Sequence, residues 1–241
     1  MFGLDDWIAS YSDGATLAVV ALVAVVLGLR HATDPDHLAA VGALIASARD
    51  RAGRRAAALG AAWGLGHALT LFAFGLPIVV FEAYLPERIQ QGAEVTIGLV
   101  IVFLAVLLLV RWQRYASQYH AHVHPDGEGA HLHVHSHVKG ERARTRSARS
   151  AFGIGLVHGM GGSAGVGVLL VASIESTAYG VVALGVLAAF TAVSMALLST
   201  GFGACLTRLS LARLAPALGA VSLVFGVWYA LGALSLAPYY F

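Results

Sequence analysis

Residues Leu29 to Leu44 read LRHATDPDHLAAVGAL, and this stretch decides what kind of fold the chain can have. Arg30, His31, Asp34, Asp36 and His37 interrupt a long apolar run. At the centre of a membrane helix such charged groups cost roughly 2.5–3.5 kcal/mol each, so a chain that keeps them there uses them. The run that holds them extends over Ala15–Ala48. As one helix it would measure about 51 Å, against a hydrocarbon core of about 30 Å. Pro35 cannot continue a helix cleanly. Thr33–Asp34–Pro35 reads as a stop and a restart, with Asp34 as N-cap and Pro35 at the first helical position. The expectation is one long crossing, broken near its middle.

The rest of the chain agrees with a membrane setting. Of 241 residues, 58% are hydrophobic and 12% charged, with a mean hydropathy of +0.76; a soluble domain carries about 25% charged residues. No alternating pattern points to a barrel. Apolar spans fall at Ala15–Ala48, Ala56–Phe81, Ala93–Trp112, Ala151–Ser173, Ala178–Gly203 and Pro216–Ala237. The start, MFGLDDWIASYSDG, is acidic and lacks the basic region of a signal peptide, so the first span is expected to be retained. Thirteen of the 15 basic residues lie in the loops after spans one, three and five. Asp5, Asp6, Asp13, Glu82, Glu87 and Glu175 lie on the opposite side. The positive-inside rule then puts both termini outside and the basic loops in the cytoplasm. The single cysteine, Cys205, forms no internal disulfide and no thiolate pair for zinc.

The opening stretch has an echo. GLRHATDPDHLAAVGALIAS begins at Gly28 and GLVHGMGGSAGVGVLLVAS at Gly155. Both start Gly-Leu-x-His, break the helix within a few residues and resume as apolar helix. Asp34–Pro35 makes the first break; Gly159, Gly161 and Gly162 make the second. An offset of three crossings inverts the second copy, and inverted repeats with broken helices are a transporter signature. The fold expected is therefore an all-α integral membrane protein of six transmembrane helices, two inverted three-helix repeats with broken first and fourth helices. Its parts are an N-terminal half at 1–115, a histidine-rich cytoplasmic loop at 116–150 and a C-terminal half at 151–241.

In a regular helix His31 and His37, six residues apart, point about 600° around the axis and face different ways. A break between them lets both rings turn toward one point. His67 lies mid-span in WGLGHALTLF, and His158 early in the fourth span. Imidazoles with a few carboxylate or carbonyl oxygens suit Ni²⁺, Co²⁺ and Zn²⁺. The candidate ligands are His31, Asp36, His37, His67 and His158, with Asp34 a ligand or a cap. Asp36 could instead orient a histidine, and Arg30 reads as a partner for Asp34 or Asp36. A packed polar network is the alternative for His31, Asp36 and His37, and a lone helix–helix hydrogen bond for His67 or His158.

The loop HAHVHPDGEGAHLHVHSHVKGERARTRSARS holds His120, His122, His124, His131, His133, His135 and His137, seven of the eleven histidines. A short histidine-rich tract reads as metal binding by composition. Its hold on metal weakens below about pH 6, where free imidazoles protonate.

His31 to His37, in the spacing H-x4-D-H, resembles the signature of the nickel/cobalt transporter (NiCoT/NicO) family, and LGHALTLF resembles that family's next motif. Six crossings with a central histidine-rich loop are similar to its shorter branch. The resemblance implies transport of Ni²⁺ or Co²⁺ across the cytoplasmic membrane, with His31, Asp36, His37 and His67 as binding and selectivity residues. Zn²⁺ is a further candidate ion. The implied partners are the metal ion, the lipid bilayer and a cytoplasmic metallochaperone or nickel-enzyme maturation protein; nothing points to nucleic acid. The Phe-Asp-Thr-type motif of the longer importers is missing, and GLVHGMGGSAG stands in its place.

Two enzymatic readings compete. GGSAG, at 161–165, fits G-x-S-x-G, but that elbow needs a strand-turn-helix, and spans five and six contain no histidine to act as base. A zinc-dependent intramembrane hydrolase could use the same His/Asp cluster to activate water. No phosphate-binding Gly-Lys-Ser/Thr loop is present, so ATP hydrolysis is not expected of this chain. The reading adopted is a transporter and not an enzyme.

Overall fold

The structure is a computed structural model that describes residues 16–46, 53–81, 86–116, 119–122, 131–134, 147–159, 174–208 and 211–238. Seven helices are described: α1 Leu17–His31, α2 Pro35–Ala46, α3 Gly53–Phe81, α4 Glu87–Ala116, α5 Ala148–His158, α6 Thr177–Arg208 and α7 Leu211–Ala233. A short antiparallel pair lies in the histidine-rich loop, β1 Tyr119–His122 with β2 His131–Val134. Its register sets His120 opposite His133 and His122 opposite His131.

The four helices α3, α4, α6 and α7 are each long and apolar enough to cross a membrane. The outward faces are apolar: Leu22, Leu65, Leu99, Leu197, Val221 and Val224 are exposed, while His37, His67 and His158 are buried. That is the inverse of a water-soluble domain and is what a lipid solvent favours. The protein is a helical membrane protein.

Helices α1 and α2 are a bent pair, 52° apart across a short break, which has the length and composition of a broken span or a re-entrant loop. The break follows from its residues. Thr33 N–H bonds the Arg30 carbonyl at 2.8 Å and its hydroxyl bonds the same oxygen at 2.6 Å. A continuing helix would have sent that N–H to Leu29. Pro35 has no N–H to give, and α2 restarts with Leu38 N–H on the Asp34 carbonyl at 3.0 Å. The Leu29 carbonyl takes its hydrogen bond from Ser194 Oγ on α6, at 2.7 Å. Ser222 Oγ on α7 bonds the Ala39 carbonyl on α2, at 3.2 Å. Backbone groups loosened by a break in lipid are re-satisfied in this way by neighbouring helices.

The expected fourth span is described only in its first part. Helix α5 ends at His158 with Gly159 as its C-cap, and the expected continuation to Ser173 lies outside the described residues. With 11 residues, α5 measures about 16 Å and does not cross alone. Four crossings, or five with the bent pair, are therefore counted among the described residues in place of the expected six.

Packing is pairwise. Helix α3 lies along α6 and α4 along α7; α1 packs on α6 and α5 on α3; α2 is held by α4 and α7. Glycines set the closest approaches. A Cβ at Gly28 would meet the Leu187 carbonyl and Thr191 N on α6, and a Cβ at Gly155 would run into the Trp63 carbonyl and His67 N on α3. Gly98 and Gly226 face each other's carbonyls across α4 and α7. One apolar core gathers Val41, Leu44, Trp63, Ile101, Leu104 and Tyr229. A second gathers Val20, Leu27, Leu71, Ile78 and Leu184.

Candidate metal centre

Each half-broken element delivers a histidine at its end. His31 is the last residue of α1, Asp34 sits in the break, and Asp36 and His37 open α2. His158 is the last residue of α5. His67 stands midway along the 29-residue α3, about 21 Å from either end. Helix ends carry partial negative charge at their C-termini, so the ends of α1 and α5 favour a cation beside them.

The rings converge. The His31 and His37 centroids are 4.6 Å apart, His37 and His158 4.7 Å, His37 and His67 5.0 Å, and His31 and His67 5.2 Å. His37 is at the centre of the cluster. Its two nitrogens are buried and have no hydrogen-bond partner among the described residues, with only the Asp36 carboxylate near Nδ1, at 3.4 Å. Two groups of ligand atoms lie within 4.8 Å of one another: His31, His37 and His67, and Asp36, His37 and His158. His37 belongs to both.

The shorter distances match neighbouring ligands on a single ion. His31 Nε2 lies 3.1 Å from His67 Nε2, and His158 Nε2 lies 3.2 Å from Asp36 Oδ2. Two donors at about 2.1 Å from an ion, at right angles, are about 3.0 Å apart. Each pair is also a hydrogen bond in the absence of metal, which keeps these groups satisfied in the low-dielectric interior.

The carboxylates orient the imidazoles. Asp34 Oδ2 accepts from His31 Nδ1 at 3.1 Å, which leaves the His31 Nε2 lone pair turned toward the cluster. Arg30 Nη1 lies 3.7 Å from Asp34 Oδ1 and offsets its charge. Asp34 therefore stands in the N-cap position while its carboxylate turns back onto α1. Asp36 Oδ1 lies 3.4 Å from His37 Nδ1, so the Asp36 carboxylate touches His37 and His158 together.

All six residues expected inside the membrane, His31, Asp34, Asp36, His37, His67 and His158, are brought into this cluster. Of the loop histidines, His120 and His122 stand in β1 and His131 and His133 in β2. His124, His135 and His137 lie outside the described residues. Trp63 was missed by sequence reasoning. It is fully buried, and its ring lies 5.7 Å from both His37 and His158. A tryptophan four residues before His67, hence on the same face of α3, was the available signal.

The chain matches the family model NicO, described as high-affinity nickel-transport protein, over residues 17–232. The chain belongs to the NicO family. NicO members transport metal and are not enzymes, so the two hydrolase readings find no support. This NicO chain is 26% identical over 195 residues to the urease accessory protein UreH of a Bacillus species, a match covering 79% of each chain. It is 36% identical over 112 residues to the high-affinity nickel transport protein of Cupriavidus necator, covering 45% of this chain and 31% of that one. No solved structure matches it.

Proposed function

We propose that this NicO protein moves Ni²⁺ or Co²⁺ across the cytoplasmic membrane through the buried His/Asp cluster, with Zn²⁺ a weaker competitor. His31, His37 and His67 form one binding position, and Asp36, His37 and His158 a second. His37 is shared, so an ion passes between them by exchanging ligands around one fixed imidazole. Asp34 orients His31. The observation that carries this reading is the convergence of four imidazoles and a carboxylate, from α1, α2, α3 and α5, at the middle of α3.

The two halves, 1–115 and 151–241, act as inverted repeats that rock against each other. Their packing supports this reading because it survives exchange of the halves. Helix α1 on α6 corresponds to α5 on α3, and α3 on α6 and α4 on α7 map onto themselves. Gly28 seated on Leu187 and Thr191 corresponds to Gly155 seated on Trp63 and His67. Gly98 and Gly226 form a reciprocal pair.

Both termini face outward, and the loop at 116–150 chelates metal on the cytoplasmic side through His120, His122, His124, His131, His133, His135 and His137. It exchanges metal there with a metallochaperone or nickel-enzyme maturation protein; the UreH relative, by its name a urease accessory protein, supports that setting. The test is metal accumulation in cells expressing the wild type or His37→Ala, over Ni²⁺, Co²⁺, Zn²⁺ and Mn²⁺. Expression of the wild type should change Ni²⁺ or Co²⁺ content and His37→Ala should not. Equal effects of the two chains would reject the site.

A further inference from the structure

Trp63 carries a polar group that neither the packing nor the ligand set uses. Its Nε1–H is buried and has no hydrogen-bond partner among the described residues. An indole nitrogen is a donor only, so it needs an acceptor. The ring belongs to the apolar core and also borders the imidazole cluster. The ring centroid lies 5.7 Å from His37, at an interplanar angle of 51°, and 5.7 Å from His158, at 75°. Those are two of the three residues of the second ligand group. The position is also held rigidly, because Gly155 of α5 sits against the Trp63 carbonyl with no room for a Cβ. The backbone at Trp63 is therefore fixed against α5.

Among the described residues, the ligands of the second group fall short of what a six-coordinate ion requires. The second group offers Asp36, His37 and His158, three donors. Ions that prefer six ligands must complete their shell with water, whereas Zn²⁺ is satisfied with four. A water bound to a cation becomes a stronger donor, and its oxygen keeps one lone pair able to accept a weak hydrogen bond from a neighbouring N–H.

We infer that Trp63 is a specificity-determining positioning residue, whose Nε1–H donates to a water that the transported ion retains while bound by Asp36, His37 and His158. This rests on the ion-binding role proposed for that cluster. Trp63 then favours ions that keep a hydrated, six-coordinate shell over tetrahedral Zn²⁺, and it makes no direct bond to the metal.

The test uses the full chain purified in detergent, titrated calorimetrically with Ni²⁺ and with Zn²⁺, as wild type, Trp63→Phe, Trp63→Tyr and His37→Ala. Trp63→Phe keeps an aromatic ring and removes the donor. Ni²⁺ affinity of the core site should fall about three- to tenfold, the loss expected for one neutral hydrogen bond, while Zn²⁺ affinity changes less than about twofold. Trp63→Tyr, whose hydroxyl can donate, should recover part of the Ni²⁺ affinity.

A second measurement needs no substitution at Trp63. Co²⁺ d–d absorption is taken as the difference between wild type and His37→Ala, which cancels the loop's contribution. It should show the weak bands of a six-coordinate ion. Strong tetrahedral bands in that difference, or Ni²⁺ and Zn²⁺ affinities in Trp63→Phe equal to wild type, would overturn the inference and leave the ion site standing. Full core-site Ni²⁺ binding by His37→Ala would overturn the site and the inference together.

Discussion

His31 Nε2 lies 3.1 Å from His67 Nε2, across 36 residues of sequence and between two different helices. Only one of the two nitrogens can carry the proton of that hydrogen bond. The Asp34 carboxylate on His31 Nδ1 assigns it to His67, so His67 Nδ1, which has no partner among the described residues, is left as the bare nitrogen. The spacing is that of adjacent ligands on one ion, and ligation by both Nε2 atoms would require the His67 proton to move to its Nδ1.

The first prediction concerns the ligands. His31→Ala and His67→Ala should each weaken core-site Ni²⁺ binding by more than the 10–100-fold typical of an outer-shell change. Isothermal calorimetry on the detergent-purified protein measures this. An unchanged affinity in both variants would remove the pair from the site.

Asp34 is expected to act through His31. Asp34→Ala should lower Ni²⁺ affinity by about 10–100-fold. Asp34→Asn, which keeps an oxygen for His31 Nδ1–H, should lose less. If the order were reversed, the carboxylate would be acting on the ion by its charge and not by holding the ring.

Gly155 tests the fold beneath the site. A Cβ there meets the Trp63 carbonyl and His67 N, while at Gly153, two residues earlier on α5, a Cβ meets nothing within 4 Å. Gly155→Ala should therefore destabilise by about 1–3 kcal/mol, as overpacking does. Gly153→Ala should be neutral or stabilising by up to about 1 kcal/mol, from helix propensity. Unfolding midpoints in detergent separate the two.

Deleting His120–His137 should lower the number of Ni²⁺ ions bound while leaving the core-site affinity within about threefold, because the loop and the core are separate ligand sets. In the intact chain the ions held by the loop should be released first as pH falls below about 6, since protonated imidazole cannot ligate. Equilibrium dialysis at graded pH reads both effects. Loss of all binding on deletion would place the only tight site in the loop.

Much of the site was legible one residue at a time. Asp34, Asp36, His31 and His37 stand out because a charged or imidazole group at membrane depth is costly and therefore rare. Pro35 announces the break because it lacks an N–H. Trp63 was not legible in this way, since a tryptophan in an apolar span is ordinary until its neighbours are known. In the fourth span the glycines mark an end to α5 at His158, which is observed, while the apolar helix expected to resume toward Ser173 lies outside the described residues.

Taken alone, the residues determined the membrane class, the interrupted first crossing and the kind of ion the buried imidazoles suit, because each depends on local chemistry and on the cost of moving a group out of water. Tertiary structure alone decided that His158 reaches Asp36, 122 positions away, at 3.2 Å, and that His37 belongs to both ligand groups. Those contacts depend on how closely α5 approaches α3, which is set where Gly155 meets the backbone of Trp63. No periodicity within a single helix encodes a distance between two of them.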